Sequence, residues 1–201
     1  MIPAKVLGPD AGDHVLDMCA APGSKTTHIA ALMGNRGSID AWDVYPHKVK
    51  LIKDNAKRLG ISIIHTEVRD SVKPLPFLYE TYDKVLLDAP CSGLGVLGHK
   101  VELRWRRKES DLSVFPPLQK QLIEQAAKYT KTGGVLVYST CTLNPDENEH
   151  IINEFLSLHS EFAPEEFNFP VLGKSLNGMM TLYHDLVRSD GFFVAKLRKV
   201  S

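Results

Sequence analysis

The sequence predicts an α/β fold: a mostly parallel sheet covered by helices on both faces, closed by an antiparallel hairpin. Three observations point there. Strand-like and helix-like segments alternate from residue 14 to residue 159, the pattern of strand–helix–strand units. The first strand-like segments are short apolar runs, as a sheet buried on both faces requires. The last two apolar segments flank Ser189-Asp190-Gly191, a turn signal that sends one strand back antiparallel.

The elements follow in order. Residues 14–20 are the first strand, ended by Ala21-Pro22-Gly23, and residues 25–33 have a helical pattern. Residues 38–44 are the second strand. Pro46 stands where a first helical turn tolerates proline, and Val49, Ile52, Ala56 and Leu59 mark the apolar face of a helix over 48–59 that Gly60 stops. Residues 62–68 and 83–89 are the third and fourth strands. A long, Gly-rich and basic loop leads to a helix over 117–129; Gly133-Gly134 then precede a fifth strand over 135–141. Residues 146–159 read as a helix with Ile151, Ile152, Phe155, Leu156 and Leu158 at its apolar positions. Pro164, Pro170, Gly173 and Asn177 make 163–177 a surface connection, and segments 179–183 and 192–199 form the hairpin.

With 201 residues, 43% hydrophobic and 24% charged, the chain suits a single domain over 1–201 with a sizeable core. Its formal net charge of zero means that nucleic-acid affinity must come from a local patch. Cysteines only at 19, 91 and 141, odd in number and widely spaced, argue against a disulfide framework and for a reducing, cytoplasmic setting. Close ligand pairs such as C-x-x-C are absent, so no metal is expected. Neither a signal-peptide pattern nor a run long enough to cross a bilayer occurs, so no membrane partner is expected.

Open α/β sheets bind ligands at the carboxyl ends of their strands, and the motifs of this chain fall there. After the first strand, Cys19-Ala20-Ala21-Pro22-Gly23-Ser24-Lys25 combines small residues with a glycine where a helix begins and offers unpaired N–H groups. Lys25-Thr26 imitates a phosphate-binding loop, but Ser24 and Ala20 stand where that loop needs glycines, and G-x-G-x-x-G is missing. The site therefore makes little phosphate demand. Asp43 ends the second strand, where a carboxylate accepts from ribose hydroxyls; Asp70 ends the third, where one can accept from an adenine amino group. Ribose and adenine without phosphate describe S-adenosylmethionine. The alternative is that both acids only cap the helices that follow.

Cys91 lies in Asp88-Ala89-Pro90-Cys91-Ser92-Gly93 and Cys141 in Ser139-Thr140-Cys141-Thr142-Leu143-Asn144-Pro145, each at a strand end. The ordinary fate of such thiols is that of a small buried hydrophobe, and for the Cys19 side chain that reading is preferred. Asn144-Pro145-Asp146-Glu147-Asn148-Glu149 reads most simply as a turn and an acidic first helical turn, with orienting the Cys141 loop as a secondary role. Lys100, Arg104, Arg106, Arg107 and Lys108 cluster around Trp105. Such a loop suits phosphate contacts plus stacking of an unpaired base, or it is simply solvated.

In their order, D-M-C-A-A-P-G-S-K-T, D-A-P-C-S-G, S-T-C-T-L-N-P-D-E-N-E and D-G-F-F-V-A-K-L resemble the RNA 5-methylcytosine methyltransferases of the Nol1/Nop2/Sun family. Within that family they look most like the bacterial ribosomal RNA small-subunit methyltransferase B (Sun/Fmu) type. The resemblance implies a Rossmann-like class I methyltransferase fold with seven strands, and S-adenosylmethionine held by residues 19–25, Asp43, Asp70 and Asp88. It implies Cys141 as nucleophile toward carbon 6 of cytosine, and Cys91 as the residue assisting release. Asp88 would hold the base edge, and Lys25 would favour the thiolate. The spacing itself leaves the two thiols open, since DNA cytosine methyltransferases use a Pro-Cys nucleophile and Pro90-Cys91 matches it.

The implied substrate is RNA, 16S ribosomal RNA first and transfer RNA second, contacted by Lys100, Arg104, Trp105, Arg106 and Arg107. The chain departs from the family in three places. Ser24 replaces a commoner glycine, and residues 98–105 follow R-R-H-P-D-I-K-W only loosely. Relatives usually carry a preceding helix and an N-terminal RNA-binding domain, whereas this sequence begins almost at the first strand, which reads as a fragment or as a minimal form needing a separate RNA-binding domain or subunit. A non-catalytic S-adenosylmethionine-binding scaffold in ribosome assembly is the alternative of another class.

Overall fold

In the computed structural model, residues 2–106, 108–169, 173–184 and 190–201 are described. Arg107, Pro170 and Ser189 lie outside them, as does the side chain of Arg106. The sheet is built on five parallel strands: β1 (His14–Asp17), β2 (Ser38–Asp43), β3 (Ile64–Val68), β4 (Tyr82–Asp88) and β5 (Thr130–Thr140). They lie in the order β3-β2-β1-β4-β5. The chain between β5 and the last strand contributes β6 (Phe162–Pro164), β7 (Asn168–Phe169), β8 (Gly173–Lys174) and β9 (Met179–Leu182). The last strand, β10 (Phe192–Lys199), runs antiparallel beside β5, and its outer edge is divided between β9 and β6. Eight strands thus fill seven positions, the Rossmann-like arrangement expected.

Alternate residues of the strands face opposite layers. Leu16, Leu87, Leu136 and Tyr138 pack with Leu122, Ile123, Ile152 and Phe155, from helices α5 (Phe115–Tyr129) and α6 (Glu149–Leu158). Val15, Leu86, Val135 and Val137 pack on the other face with α1 (Ile2–Leu7) and α2 (Ser24–Leu32). There α3 (Pro46–Arg58) seats Ile52 against Ala20 and Ala41. Both layers sit on buried strands, as a parallel sheet requires.

Four local readings are corrected. α1 precedes the first strand and buries Ala4, Val6 and Leu7, with no sequence signal beyond a single apolar turn. The expected surface connection over 163–177 instead pairs β6 with β10, and β7 with β8 in a two-stranded ribbon. The basic loop contains a short helix, α4 (Leu103–Arg106), flanked by 3-10 turns at Leu94–Val96 and Glu109–Ser113. The helix expected over 146–159 is split: Pro145–Glu147 is a 3-10 turn, and Asn148, at φ −121° and ψ −102°, separates it from α6.

β5 also starts earlier than residue 135. Tyr82 pairs with Thr130 and Lys84 with Val135, so Asp83 alone faces residues 131–134, a wide bulge. Lys131 ion-pairs with Asp83 there. A Cβ at Gly134 would lie 2.8 Å from the Lys131 carbonyl oxygen, so only glycine fits the fold-back.

Candidate active site

β1 ends at Asp17, three residues earlier than expected, and the chain leaves the sheet still paired: the Met18 N–H donates to Leu86 O and the Ala20 N–H to Trp42 O, at 3.0 and 2.8 Å. Gly23 then turns at φ +98°, a conformation that side chains rarely adopt, and precedes α2. Its backbone sits against α3, where a Cβ would lie 3.1 Å from Ile52 Cα. Asn55 Nδ2 donates to the Pro22 carbonyl at 3.0 Å, pinning the loop from outside. Residues 20–24 therefore form a fixed turn above the carboxyl ends of β1 and β2.

Carboxylates ring this turn. Asp17 is fully buried; Thr26 Oγ1 donates to its Oδ2 at 2.7 Å, and its Oδ1 has no partner. Burial raises its carboxyl to about 7, with the nearby Asp88 adding to the rise and Thr26 and Lys25 opposing it. Asp43, at the end of β2, accepts the Tyr45 N–H at 3.1 Å, and Asp70, beyond β3, accepts the Val72 N–H at 3.3 Å. Both acids stabilise local turns, and neither caps α3 by its side chain. Burial also pushes the Cys19 thiol well up, reinforced by Asp17, Asp88 and Asp43, so this sulfur is inert.

Four acids around a glycine turn suit a ligand with hydroxyl and amino donors and a cationic end. S-adenosylmethionine, with its ribose hydroxyls, adenine amino group, ammonium and sulfonium, fits that donor set. A phosphate-bearing cofactor would be repelled by it.

Asp88 ends β4 and joins this ring to the thiols. Its Oδ2 receives Lys25 Nζ at 2.5 Å and its Oδ1 the Ser139 hydroxyl at 2.8 Å. Burial pulls the Lys25 ammonium down, but Asp88 outweighs it and holds the group above its ordinary value. Beyond, Cys91 Sγ and Cys141 Sγ lie 3.2 Å apart. The two motifs are thus brought together, fifty residues apart in sequence.

The pair is electrically asymmetric. Cys141 is drawn below its ordinary thiol value, first by the hydrogen bond from Cys91, then by Lys100 and Lys25, against burial and Asp88. Cys91 is driven well above, by that same bond, by burial and by the Cys141 charge. One S–H is shared, and Cys141 is the sulfur that ionises first. Because thiolate fraction rises with pH through the pKa, Cys91→Ala is expected to move the iodoacetamide alkylation profile of Cys141 to higher pH. Cys91→Ser, which keeps an O–H donor, is expected to move it less. Unchanged profiles for both would contradict the shared proton.

A buried polar lattice holds these loops; the sequence offered the run 144–149 only a secondary orienting role and gave no sign of the partners. Glu147 has no exposed surface. Its Oε2 accepts the Ser92 N–H at 2.8 Å and Gln119 Nε2 at 3.1 Å, and its Oε1 accepts Asn144 Nδ2 at 3.1 Å. Ser92 Oγ and Thr142 Oγ1 are 2.8 Å apart, and Asn148 Nδ2 donates to the Thr142 carbonyl at 3.0 Å. The Gly95 N–H donates to the Cys141 carbonyl at 3.0 Å, and a Cβ there would meet the Gly191 oxygen at 2.1 Å. The acidic run containing Glu147 gave no sign of which carboxylate turns inward.

The basic segment lies on the rim. Lys100 and Arg104 are exposed, and Trp105 is 86% exposed at the tip of α4. His99 Nδ1 pairs with Asp190 Oδ1 at 2.5 Å, tying this segment to the approach of β10. Arg107 and the Arg106 side chain fall outside the described residues. Among the described residues, no group of His, Cys, Asp and Glu is arranged to hold a metal ion, and no helix is long and apolar enough to cross a membrane.

Residues 4–198 match the family described as 16S rRNA methyltransferase RsmB/F, and the chain belongs to that family. It is 40% identical over 205 residues to the probable ribosomal RNA small subunit methyltransferase B of Bacillus subtilis, covering 99% of this chain and 46% of that protein. It is 38% identical over 200 residues to the tRNA (cytosine(72)-C(5))-methyltransferase of Pyrococcus horikoshii, covering 100% and 50%. The crystal structure of NSun6 from Pyrococcus horikoshii with SFG superposes with a TM-score of 0.86 at 39% identity, covering 100% of this chain and 52% of that one. The chain spans about half the length of these curated relatives. Its fold is the class I methyltransferase fold, shared with methylases well below 25% identity.

Proposed function

We propose that this chain is the catalytic domain of an S-adenosylmethionine-dependent RNA cytosine-5 methyltransferase, acting on 16S ribosomal RNA through a covalent cysteine–cytosine intermediate. The observation that carries the reading is the 3.2 Å thiol pair beside Asp88, in a chain of the RsmB/F family. SFG, an analogue of S-adenosylmethionine, in the related NSun6 structure supports the cofactor. The cofactor supplies an electrophilic methyl group on a sulfonium. Residues 19–25 would line its site by backbone, Asp43 would take the ribose hydroxyls, and Asp70 would take the adenine amino group.

The chain's own groups then act on the base. The Cys141 thiolate adds to carbon 6, which turns carbon 5 into an enamine-like nucleophile. Asp88 accepts from the cytosine amino group and orients the ring, and the Lys25 ammonium held against it offsets the negative charge that develops as the thiolate adds. Cys91 passes its S–H proton to solvent as the adduct forms; once carbon 5 is methylated, the Cys91 thiolate takes the carbon 5 proton directly or through a water, the carbon 5–carbon 6 double bond re-forms, and Cys141 leaves as thiolate. Both thiols must stay reduced, in keeping with a cytoplasmic setting.

The base must leave its stack to reach Cys141. The exposure of Trp105 on α4, in the segment that also exposes Lys100 and Arg104, supports a role in stacking on that base or on a neighbour, and the charges of Arg106 and Arg107 suit phosphate contacts. Trp105→Ala is expected to weaken RNA binding by about 1–3 kcal/mol, roughly 5- to 150-fold, in a filter-binding titration. Because the ring is exposed, the thermal midpoint should not move. Equal RNA affinity would remove Trp105 from the interface.

A further RNA-binding domain or subunit, in the same chain or separate, is proposed to complete capture. Transfer of tritiated methyl groups to 16S ribosomal RNA, with such a domain supplied, tests the whole reading. Transfer RNA is the second substrate, favoured by the 38% identical transfer RNA enzyme, and the same assay separates the two. Cofactor binding with no transfer to either RNA would leave a non-catalytic assembly scaffold.

A further inference from the structure

We infer that Glu147 is the positioning residue that sets the two thiols at their separation, acting as a buried, acceptor-only bridge between the loops that carry them. Its contacts bracket Cys91 from both sides. One oxygen takes the N–H of Ser92, the residue after Cys91; the Gln119 amide that donates to that same oxygen also donates to the carbonyl of Pro90, the residue before it, at 3.0 Å. The other oxygen takes the amide of Asn144, three residues past Cys141. The Glu147 carbonyl accepts the Tyr138 hydroxyl at 2.6 Å, anchoring the bridge to β5.

All three side-chain partners are donors, so the site demands a group that only accepts. An ionised carboxylate does so; an amide of the same shape cannot, because one end must present N–H to a donor. The orientation of Gln119 agrees. Its NH₂ is drawn to two acceptors, while its Oε1 is buried without a partner. Such a bridge also fixes direction. Neutralising it leaves the Ser92–Thr142 and Gly95–Cys141 contacts, so the loops stay joined but lose the brace that frames Cys91.

The geometry can be tested without RNA or cofactor, using phenylarsine oxide. This arsenic(III) reagent forms two As–S bonds with two close thiols, and its oxygen leaves with both thiol protons as water. No atom changes oxidation state. The wild-type chain is expected to capture one equivalent through Cys91 and Cys141, and Cys91→Ala to lose capture. Glu147→Gln should weaken capture by about tenfold or more, equivalent to 1.4 kcal/mol. Pairing it with Asn144→Asp places an acceptor opposite the new amide N–H and should restore capture to near the wild-type level, at unchanged net charge.

Wild-type capture by the Glu147→Gln chain overturns the inference, and so does a double variant no better than the single. If the single variant fails to fold, the double variant must fold and capture; failure there overturns it as well. The effect on catalysis, a fall in kcat with little change in KM for RNA, rests on the function proposed above. Capture that falls and is rescued, in a protein that methylates no RNA, would defeat that function and leave this inference standing.

Discussion

Replacing Cys141 by alanine is expected to reduce methyl transfer by on the order of 10⁴-fold or more, the scale of losing a nucleophile. The companion change, Cys91→Ala, separates the reading from a simple loss of activity. With Cys141 still able to add to carbon 6, but no group placed to remove the carbon 5 proton, turnover should fall by roughly 10²- to 10⁴-fold. The stalled species should appear as protein covalently joined to RNA, a slow band in a denaturing gel that needs both RNA and cofactor. The 3.2 Å sulfur separation makes the division of labour testable, since either sulfur can reach the same ring. If the Cys91→Ala chain turns over normally and traps nothing, two-thiol chemistry is excluded. If Cys141→Ala traps the adduct instead, the roles are exchanged, and Pro90-Cys91 carries the nucleophile.

The second large effect is thermodynamic and comes from Asp17. Its carboxyl starts from 3.8 and sits at about 7 in the fold, because burial disfavours the charge more than Thr26 and Lys25 favour it. Between those values the native state holds a proton that the unfolded state has already lost. The stabilising contribution is therefore complete below about 3.8 and is lost as pH rises through about 7. That interval corresponds to on the order of 4 kcal/mol. Asp17→Asn, which imitates the neutral acid and cannot titrate, removes the dependence. In urea unfolding at a series of pH values, the stability of wild type relative to this variant should decline by that order between pH 4 and 8. Parallel curves would mean that Asp17 titrates normally or that water reaches it.

Much of the sheet was legible because alternating strand and helix patterns are long-range regularities. β1, β2, β4, β5 and β10 carry buried apolar residues, β3 at the sheet edge is only partly buried, and each is where its pattern puts it, within a few residues. β6, β7 and β8 were not legible, since two or three residues carry no period; pairing with β10 or with each other defines them. The bulge in β5 was hidden for a related reason: Gly133-Gly134 looks the same whether it ends a loop or folds a strand back on itself.

In the candidate site, Cys91, Cys141, Asp88 and Lys25 stood out because each belongs to a short motif at a strand end. Glu147 did not. Asp146, Glu147 and Glu149 are chemically alike in the sequence, and only the 3-10 turn before α6 swings the middle one inward. Gln119 was equally silent, one polar residue in a helix whose inner face happens to meet a loop carbonyl.

The outer border of β10 carries a consequence of its own. β9 engages residues 192–195 and β6 residues 197–199, while the Lys196 N–H and carbonyl between them are taken by Gly178 and Glu165. Every outward rung of β10 is occupied within the chain, so the longest antiparallel strand is shielded and the border of the sheet passes to β6 and β9. A visiting strand would meet segments of only three and four residues there, too short to guide an extended pairing.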